Sequence, residues 1–169
     1  MSNRRLFFAL WPDDRQRDGL RDHISPLVKL IDGRAVDRGN WHVTTAFIGE
    51  FPEARLPELQ ARAAQIPVEP FRLHFDRVEF WPRPKVASLV AAIVPPLLQS
   101  LVDAQNSLLS DLGITVEDRV YRPHITVARR ARPFETQRLA QPAEIEWTGF
   151  ELVESISQPG GATYRPLKQ

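Results

Sequence analysis

Leu6 to Trp11 is an unbroken apolar run closed by Pro12, the pattern of an internal strand. Behind it, Asp13 or Asp14 can cap a helix on which Leu20, Ile24, Leu27 and Ile31 recur at helical spacing until Asp32-Gly33-Arg34 ends it. Residues 40–50, NWHVTTAFIGE, are rich in β-branched and aromatic side chains and predict a second strand closing at Gly49. Leu56, Leu59, Ala63 and Ile66 mark another helix, stopped by Pro67. Residues 71–81 alternate apolar and polar for most of their length, and 86–94 are apolar apart from Ser88. Both read as strands, joined as neighbours by the turn PRPK at 82–85. Pro95 and Pro96 suit the first turn of a helix that Leu97, Leu101, Leu108 and Leu112 continue to Gly113. Strands are expected within 114–117, 120–129, 145–156 and 162–167, with QPGG at 158–161 as a turn. The pattern predicts about eight strands and three helices.

Composition narrows the class. A chain of 169 residues, 43% hydrophobic and 25% charged, predicts one globular folding unit, compact or made of two intimately packed lobes. A net charge of +1 argues against a protein that coats long nucleic acid or anionic membrane, so an anionic partner is expected to be held locally. With no cysteine there is no disulfide, thiolate chemistry or Cys-type zinc site, and a cytoplasmic location is expected. Two arginines ahead of the first apolar run resemble the start of a secretion signal. Pro12, Asp13 and Asp14 cut that run short and no small-residue cleavage site comes after it, so the run is read as a buried strand. No segment approaches the roughly 18 consecutive apolar residues of a membrane span.

The chemistry is carried by a repetition: His-Val-Thr at 42–44 and His-Ile-Thr at 124–126, each in a segment read as a strand. Residues i and i+2 of a strand share a face, so His42 lies beside Thr44 and His124 beside Thr126, with Val43 and Ile125 turned inward. With four His and seven Thr in the chain, chance gives two such spacings only about one per cent of the time, which makes ordinary strand residues a poor account of both. His23, on the first helix, and His74, in FRLHFD, are taken as ordinary residues.

Two imidazoles with ordinary pKa values near 6.5 can serve as acid and base near neutrality, and threonine hydroxyls can donate to oxygens where negative charge grows. That set suits cleavage of a phosphodiester, and the spacing alone leaves open which histidine is the acid. A metal site is the competitor, with Asp118 or Glu117 the nearby carboxylates. Neither motif supplies a second ligand at i+2 or i+4, so no metal and no cofactor are expected. No G-x-S-x-G elbow, P-loop or dinucleotide fingerprint is present.

On these residues the sequence resembles the 2H phosphoesterase superfamily, and within it the RNA 2′,3′-cyclic phosphodiesterase (LigT/ThpR) family. RLFFALWP, NWHVTTAFIGE, YRPHITVAR and YRPLK carry the likeness, which spans nearly the whole chain. The resemblance implies an α+β, bilobal LigT-like fold: two antiparallel sheets flanked by helices around a central cleft, with pseudo-twofold H-x-T-x strands. It implies a single domain over 1–169 and metal-independent opening of RNA 2′,3′-cyclic phosphate ends to 2′-phosphate, tRNA halves being candidate substrates. Some relatives also join RNA halves through a 2′,5′ linkage. Carried over, His42 is the proton donor and His124 the proton acceptor, while Thr44, Thr126 and Arg129 bind phosphate oxygens.

Phe47 takes the family's aromatic position, where it can stack on a base, while alternation puts it on the side of Val43, which leaves a core role equally open. Arg129 likewise falls opposite His124 by alternation unless the strand bulges. Thr45 stands where the family has Leu and is expected to point away from the chemistry. Arg119, Arg122, Arg129, Arg130 and Arg132 cluster about the second motif, as an RNA-attracting patch or as solvated surface charge. A monomer without membrane partners is expected. The alternatives are a non-catalytic binder of RNA ends and a 2H phosphodiesterase for a small cyclic nucleotide.

Overall fold

Along β1 (Asn3–Leu10) Leu6, Phe8 and Leu10 alternate with Phe7 and Ala9, and all five are buried, so this strand is covered on both faces. The computed structural model describes residues 2–167. After β1 come α1 (Asp14–Val28), β2 (Arg34–Ala35), β3 (Val43–Pro52), α2 (Leu56–Ala63), β4 (Phe71–Trp81), β5 (Val86–Val90) and α3 (Pro96–Asp111). The chain finishes with β6 (His124–Arg129), β7 (Gln137–Trp147), β8 (Glu151–Gln158) and β9 (Gly161–Pro166). Asp13 opens α1 with a capping box, accepting from Gln16 N while the Gln16 side chain accepts from its own N–H, both at 2.8 Å.

The strands form two antiparallel sheets, a four-stranded one in the order β3-β1-β8-β9 and a five-stranded one in the order β2-β6-β5-β4-β7. Each sheet buries one face under helices. Leu20 and Ile24 of α1, with Leu98, Leu101 and Val102 of α3, cover Leu73, Phe75, Leu89, Ile125 and Val127 of the larger sheet. Leu59 and Ala63 of α2, with Leu108, Leu109 and Leu112 at the other end of α3, cover Leu6, Phe8, Ala46 and Ile48 of the smaller. At about 1.5–3 kcal/mol for each fully buried large apolar side chain, α3 contributes to two cores at once and couples them. The other faces of the two sheets meet across the motif strands: Tyr121, just before β6, donates its hydroxyl hydrogen to Thr44 O of β3 at 2.9 Å. Among the described residues no helix is long and apolar enough to cross a membrane.

Several expectations from the pattern need correction. Residues 145–156 are not one strand: β7 ends at Trp147, and after Thr148, Gly149 and Phe150 the chain starts β8 in the other sheet. Both halves bury apolar residues, so hydrophobicity alone shows no break. β7 begins as early as Gln137, on an edge where Pro142 and exposed polar residues hide a strand from pattern reading. Residues 114–117 pack Ile114 and Val116 on the smaller core without joining a sheet. Strand β6 starts only at His124, and Pro123, which has no N–H, gives its carbonyl to Ala91 N. Helix α1 stops at Val28 rather than Ile31, leaving Leu30 exposed, and β5 stops at Val90 rather than Val94. The count is nine strands among the described residues, β2 being too short to read. Val43 and Ile125 are fully buried, as their alternation predicts. Lys168 of YRPLK lies outside the described residues.

Candidate active site

His42 immediately precedes β3, with its ring on the uncovered face of the smaller sheet. Trp11 stacks on it at 5.8 Å and 17°, while Phe7 and Tyr164 approach to 5.0 Å each. Its Nδ1 lies 2.8 Å from Asn40 O and its Nε2 3.0 Å from Thr44 Oγ1. A carbonyl can only accept, so Nδ1 carries the hydrogen in the neutral ring, and Nε2 offers a lone pair to the Thr44 hydroxyl. Enclosure by aromatic rings strips water from the imidazolium and pushes the His42 pKa down to about 4. The Asn40 carbonyl opposes this, and the charges of His124 and Arg129 add to it.

His124 opens β6 from the facing sheet in the same way. Its Nδ1 lies 2.9 Å from Arg122 O, again the carbonyl two residues back, which leaves Nε2 as the free nitrogen. Trp81 packs against it at 4.2 Å between ring centres. Burial again lowers the pKa, against the Arg122 carbonyl and together with the Arg122 charge. Thr126 lies at i+2, half-buried. The two motifs thus stand on different sheets, with His42 within electrostatic reach of His124 and Thr44 O bound by Tyr121, three residues before His124.

Phe47 and Arg129 are where simple alternation misleads, and one device explains both. On β3, Ala9 pairs with Thr44 but Phe8 with Ala46, so Thr45 is an extra residue. On β6, Ser88 pairs with Thr126 but Ala87 with Ala128, so Val127 is extra. Each is a β-bulge three residues after its histidine, and each reverses the facing of the strand residues that follow, on β3 as far as a second register shift at Ile48. Ala46 and Ala128 consequently enter the cores. Phe47 turns outward, 65% exposed, with its ring 6.5 Å from Phe7. Arg129 turns toward the facing sheet and donates from Nη2 to Tyr164 Oη at 3.2 Å. The core placement of Phe47 is thereby overturned, and the bulge that brings Arg129 toward His42 is present. Thr45 is buried within its bulge, its hydroxyl unpartnered among the described residues.

The sequence reading missed the aromatic walls and their anchors. Trp11 and Trp81 each sit beside a motif histidine, and their signal is legible in retrospect: Trp-Pro occurs at 11–12 and again at 81–82. Tyr164 and Asn40 carry no such mark, because they are gathered only when β9 meets the turn before β3. Of the arginines about the second motif, Arg119 pairs with Glu117, Arg122 with Glu79 and Arg132 with Asp32, so much of that patch is neutralised. His74 is an exposed residue of β4, 3.5 Å from Glu144, and His23 lies on α1. Among the described residues no three His, Asp or Glu side chains gather as metal ligands.

The family model described as LigT like Phosphoesterase matches residues 10–91, which include the first motif. The Escherichia coli RNA 2′,3′-cyclic phosphodiesterase is 30% identical over 169 residues, covering 98% of this chain and 94% of the relative, and so extends the likeness across the second motif. The chain belongs to the LigT-like phosphoesterase family. Another member, the RNA 2′,3′-cyclic phosphodiesterase of Archaeoglobus fulgidus, is 29% identical over 177 residues, covering 97% of this chain and 98% of the relative. The crystal structure of Escherichia coli LigT complexed with 3′-AMP superimposes with a TM-score of 0.86 at 28% identity, covering 99% of this chain and 97% of that one. The two-sheet α+β architecture expected of the family is the one observed.

Proposed function

We propose that this LigT-like phosphoesterase opens RNA 2′,3′-cyclic phosphate ends to 2′-phosphate ends, without a metal, by general acid and base catalysis between His42 and His124. The observation that carries the proposal is the matched pair of H-x-T sites: each ring has Nδ1 bound to a backbone carbonyl, which leaves Nε2 for proton transfer. Nε2 of His124 takes a proton from water as the water oxygen bonds to phosphorus. The P–O3′ bond breaks, and Nε2 of His42 supplies a proton to O3′, leaving a 3′-hydroxyl and a 2′-phosphate. The hydroxyls of Thr44 and Thr126 and the guanidinium of Arg129 hold the non-bridging oxygens as charge builds. The donor role of His42 is carried over from the family's motif order. Enclosure by Trp11, Phe7 and Tyr164, which lowers its pKa to about 4, by itself favours the neutral ring, and a bound phosphodiester anion must restore the charged one. A 5′-hydroxyl in place of water would give a 2′,5′ linkage by the same transfers.

Both histidine pKa values are lowered, so the form with one ring protonated and the other neutral is most populated below pH 6.5. The expected kcat/KM therefore peaks on the acid side of 6.5. The kcat profile lies at higher pH, because a bound phosphodiester anion favours the protonated ring. The direct test is a short RNA ending in a 2′,3′-cyclic phosphate, incubated in EDTA, with the product assigned by mass and by phosphatase sensitivity. A 2′-phosphate is the expected product, and unchanged RNA would overturn the proposal.

An RNA end is favoured over a small cyclic nucleotide by Arg34. It pairs in register with Arg129, which sets both on one face, and its Nη2 lies 3.6 Å from where a Cβ on Gly160 would sit, in the β8–β9 turn. Arg34 has no carboxylate partner among the described residues. A cation so placed can contact the backbone beyond the terminal nucleotide, and exposed Phe47 can stack on a base. Arg34→Ala is expected to lower the ratio of kcat/KM for a trinucleotide to that for a mononucleoside cyclic phosphate by about fivefold. An unchanged ratio would remove Arg34 from RNA contact. One chain supplies both histidines, so a monomer suffices, and the lack of cysteine suits cytoplasmic work.

A further inference from the structure

The residue two positions before each histidine does the same work in both sheets. Asn40 O and Arg122 O set the orientation of the two rings. Both belong to connecting segments, and a carbonyl in a connection keeps its direction only if the connection is tied down. Asn40 does this with its own side chain: Nδ2 donates to Ala162 O at 3.2 Å, and Oδ1 accepts from Tyr164 N at 3.4 Å, binding the turn to β9. Arg122 does it through Glu79 of β4, whose two carboxylate oxygens accept from Nη2 at 2.9 and 3.1 Å.

Glu79 has a second grip on the same histidine. Its Oε1 accepts from Trp81 Nε1 at 3.0 Å, the Trp81 ring lies 4.2 Å from that of His124, and the Arg122 guanidinium lies 5.1 Å from the Trp81 ring centre. The contacts close a circuit from Glu79 through Trp81 to His124 and back through Arg122. A solvated ion pair would be the ordinary reading of Glu79 with Arg122. Yet the Glu79 side chain is only 17% exposed, and it binds two residues that both bear on His124.

We propose that Asn40 and Glu79 are positioning residues, Asn40 orienting His42, and Glu79 orienting His124 through Arg122 and Trp81. This rests on the two-histidine reading of the site. In Glu79→Ala, kcat should fall about tenfold while KM changes less than about twofold, because the ring is still present but no longer aimed. The His124 imidazole Cε1–H resonance should titrate at lower pH, since the Nδ1–H bond that favours the charged ring loosens and the Arg122 charge loses its counter-ion. The His42 resonance should move far less, following only the changed charge of His124. Asn40→Ala should reverse the pattern, moving the His42 titration and leaving that of His124. Glu79→Gln keeps an acceptor for Trp81 and should fall between wild type and Glu79→Ala; it also serves if the alanine variant does not fold.

Wild-type kcat with unmoved titrations in the folded variants would overturn the assignment, as would both resonances moving together in both. The resonances are read without substrate, so they decide the positioning roles even if RNA ends prove not to be turned over. In that outcome the functional reading fails on its own.

Discussion

His42→Ala and His124→Ala are each expected to lower kcat on a cyclic-phosphate RNA end by on the order of 10³-fold while the protein remains folded. Each ring carries one of two coupled proton transfers, so losing either leaves an activated water with no acid for the leaving oxygen, or an acid with no activated water. Residues acting as a unit are not additive, and the double variant should be little worse than the poorer single one. Single-turnover rates for the three variants, with circular dichroism to check folding, decide the matter. Near-normal turnover in either single variant would sink the two-histidine mechanism. A double variant slower by the product of the two single effects would mean that the histidines act independently.

Acid should destabilise this protein well before its carboxylates titrate. In the folded state the His42 pKa is held down to about 4, against about 6.5 when unfolded, because Trp11, Phe7 and Tyr164 enclose the ring. Between those values the unfolded chain binds the extra proton and the folded one does not. The contribution is therefore fully present above about pH 6.5 and is lost as pH falls toward 4, about 3 kcal/mol in all. His124 acts in the same direction. The lowered carboxyls of Asp18, Glu53, Asp76 and Glu79 add their losses at lower pH, below their unfolded values. His42→Gln removes the titrating group. Urea unfolding at about pH 7 and about pH 4.5 should show the wild type losing about 2 kcal/mol more than this variant. Equal losses would mean that His42 is solvated in the folded protein.

The two candidate histidine pairs were legible because they lie in short-range spacing. His42 with Thr44 and His124 with Thr126 need only the two-residue period of a strand, and Val43 and Ile125 entered the cores for the same reason. The three helices were legible from apolar residues at helical spacing. The division of 145–156 was not, because both β7 and β8 bury apolar residues and they are separated only by the sheet that each one joins. Nor could the chain alone mark Asn40 or Glu79, ordinary polar residues until β9 and the turn before β6 are set against them.

The sequence by itself determined the chemical pairs, the cores behind them and the family, since these rest on side-chain identity and local period. Only the tertiary structure decided which further residues face the chemistry. Thr45 and Val127 are bulged because β1 and β5 each offer one residue fewer at that point of the pairing, and a strand's alternation cannot reveal its neighbour's count. That non-local mismatch turned Phe47 and Arg129 to the side of His42 and His124. It also completed a site whose walls, Trp11, Trp81 and Tyr164, come from three other strands or their ends.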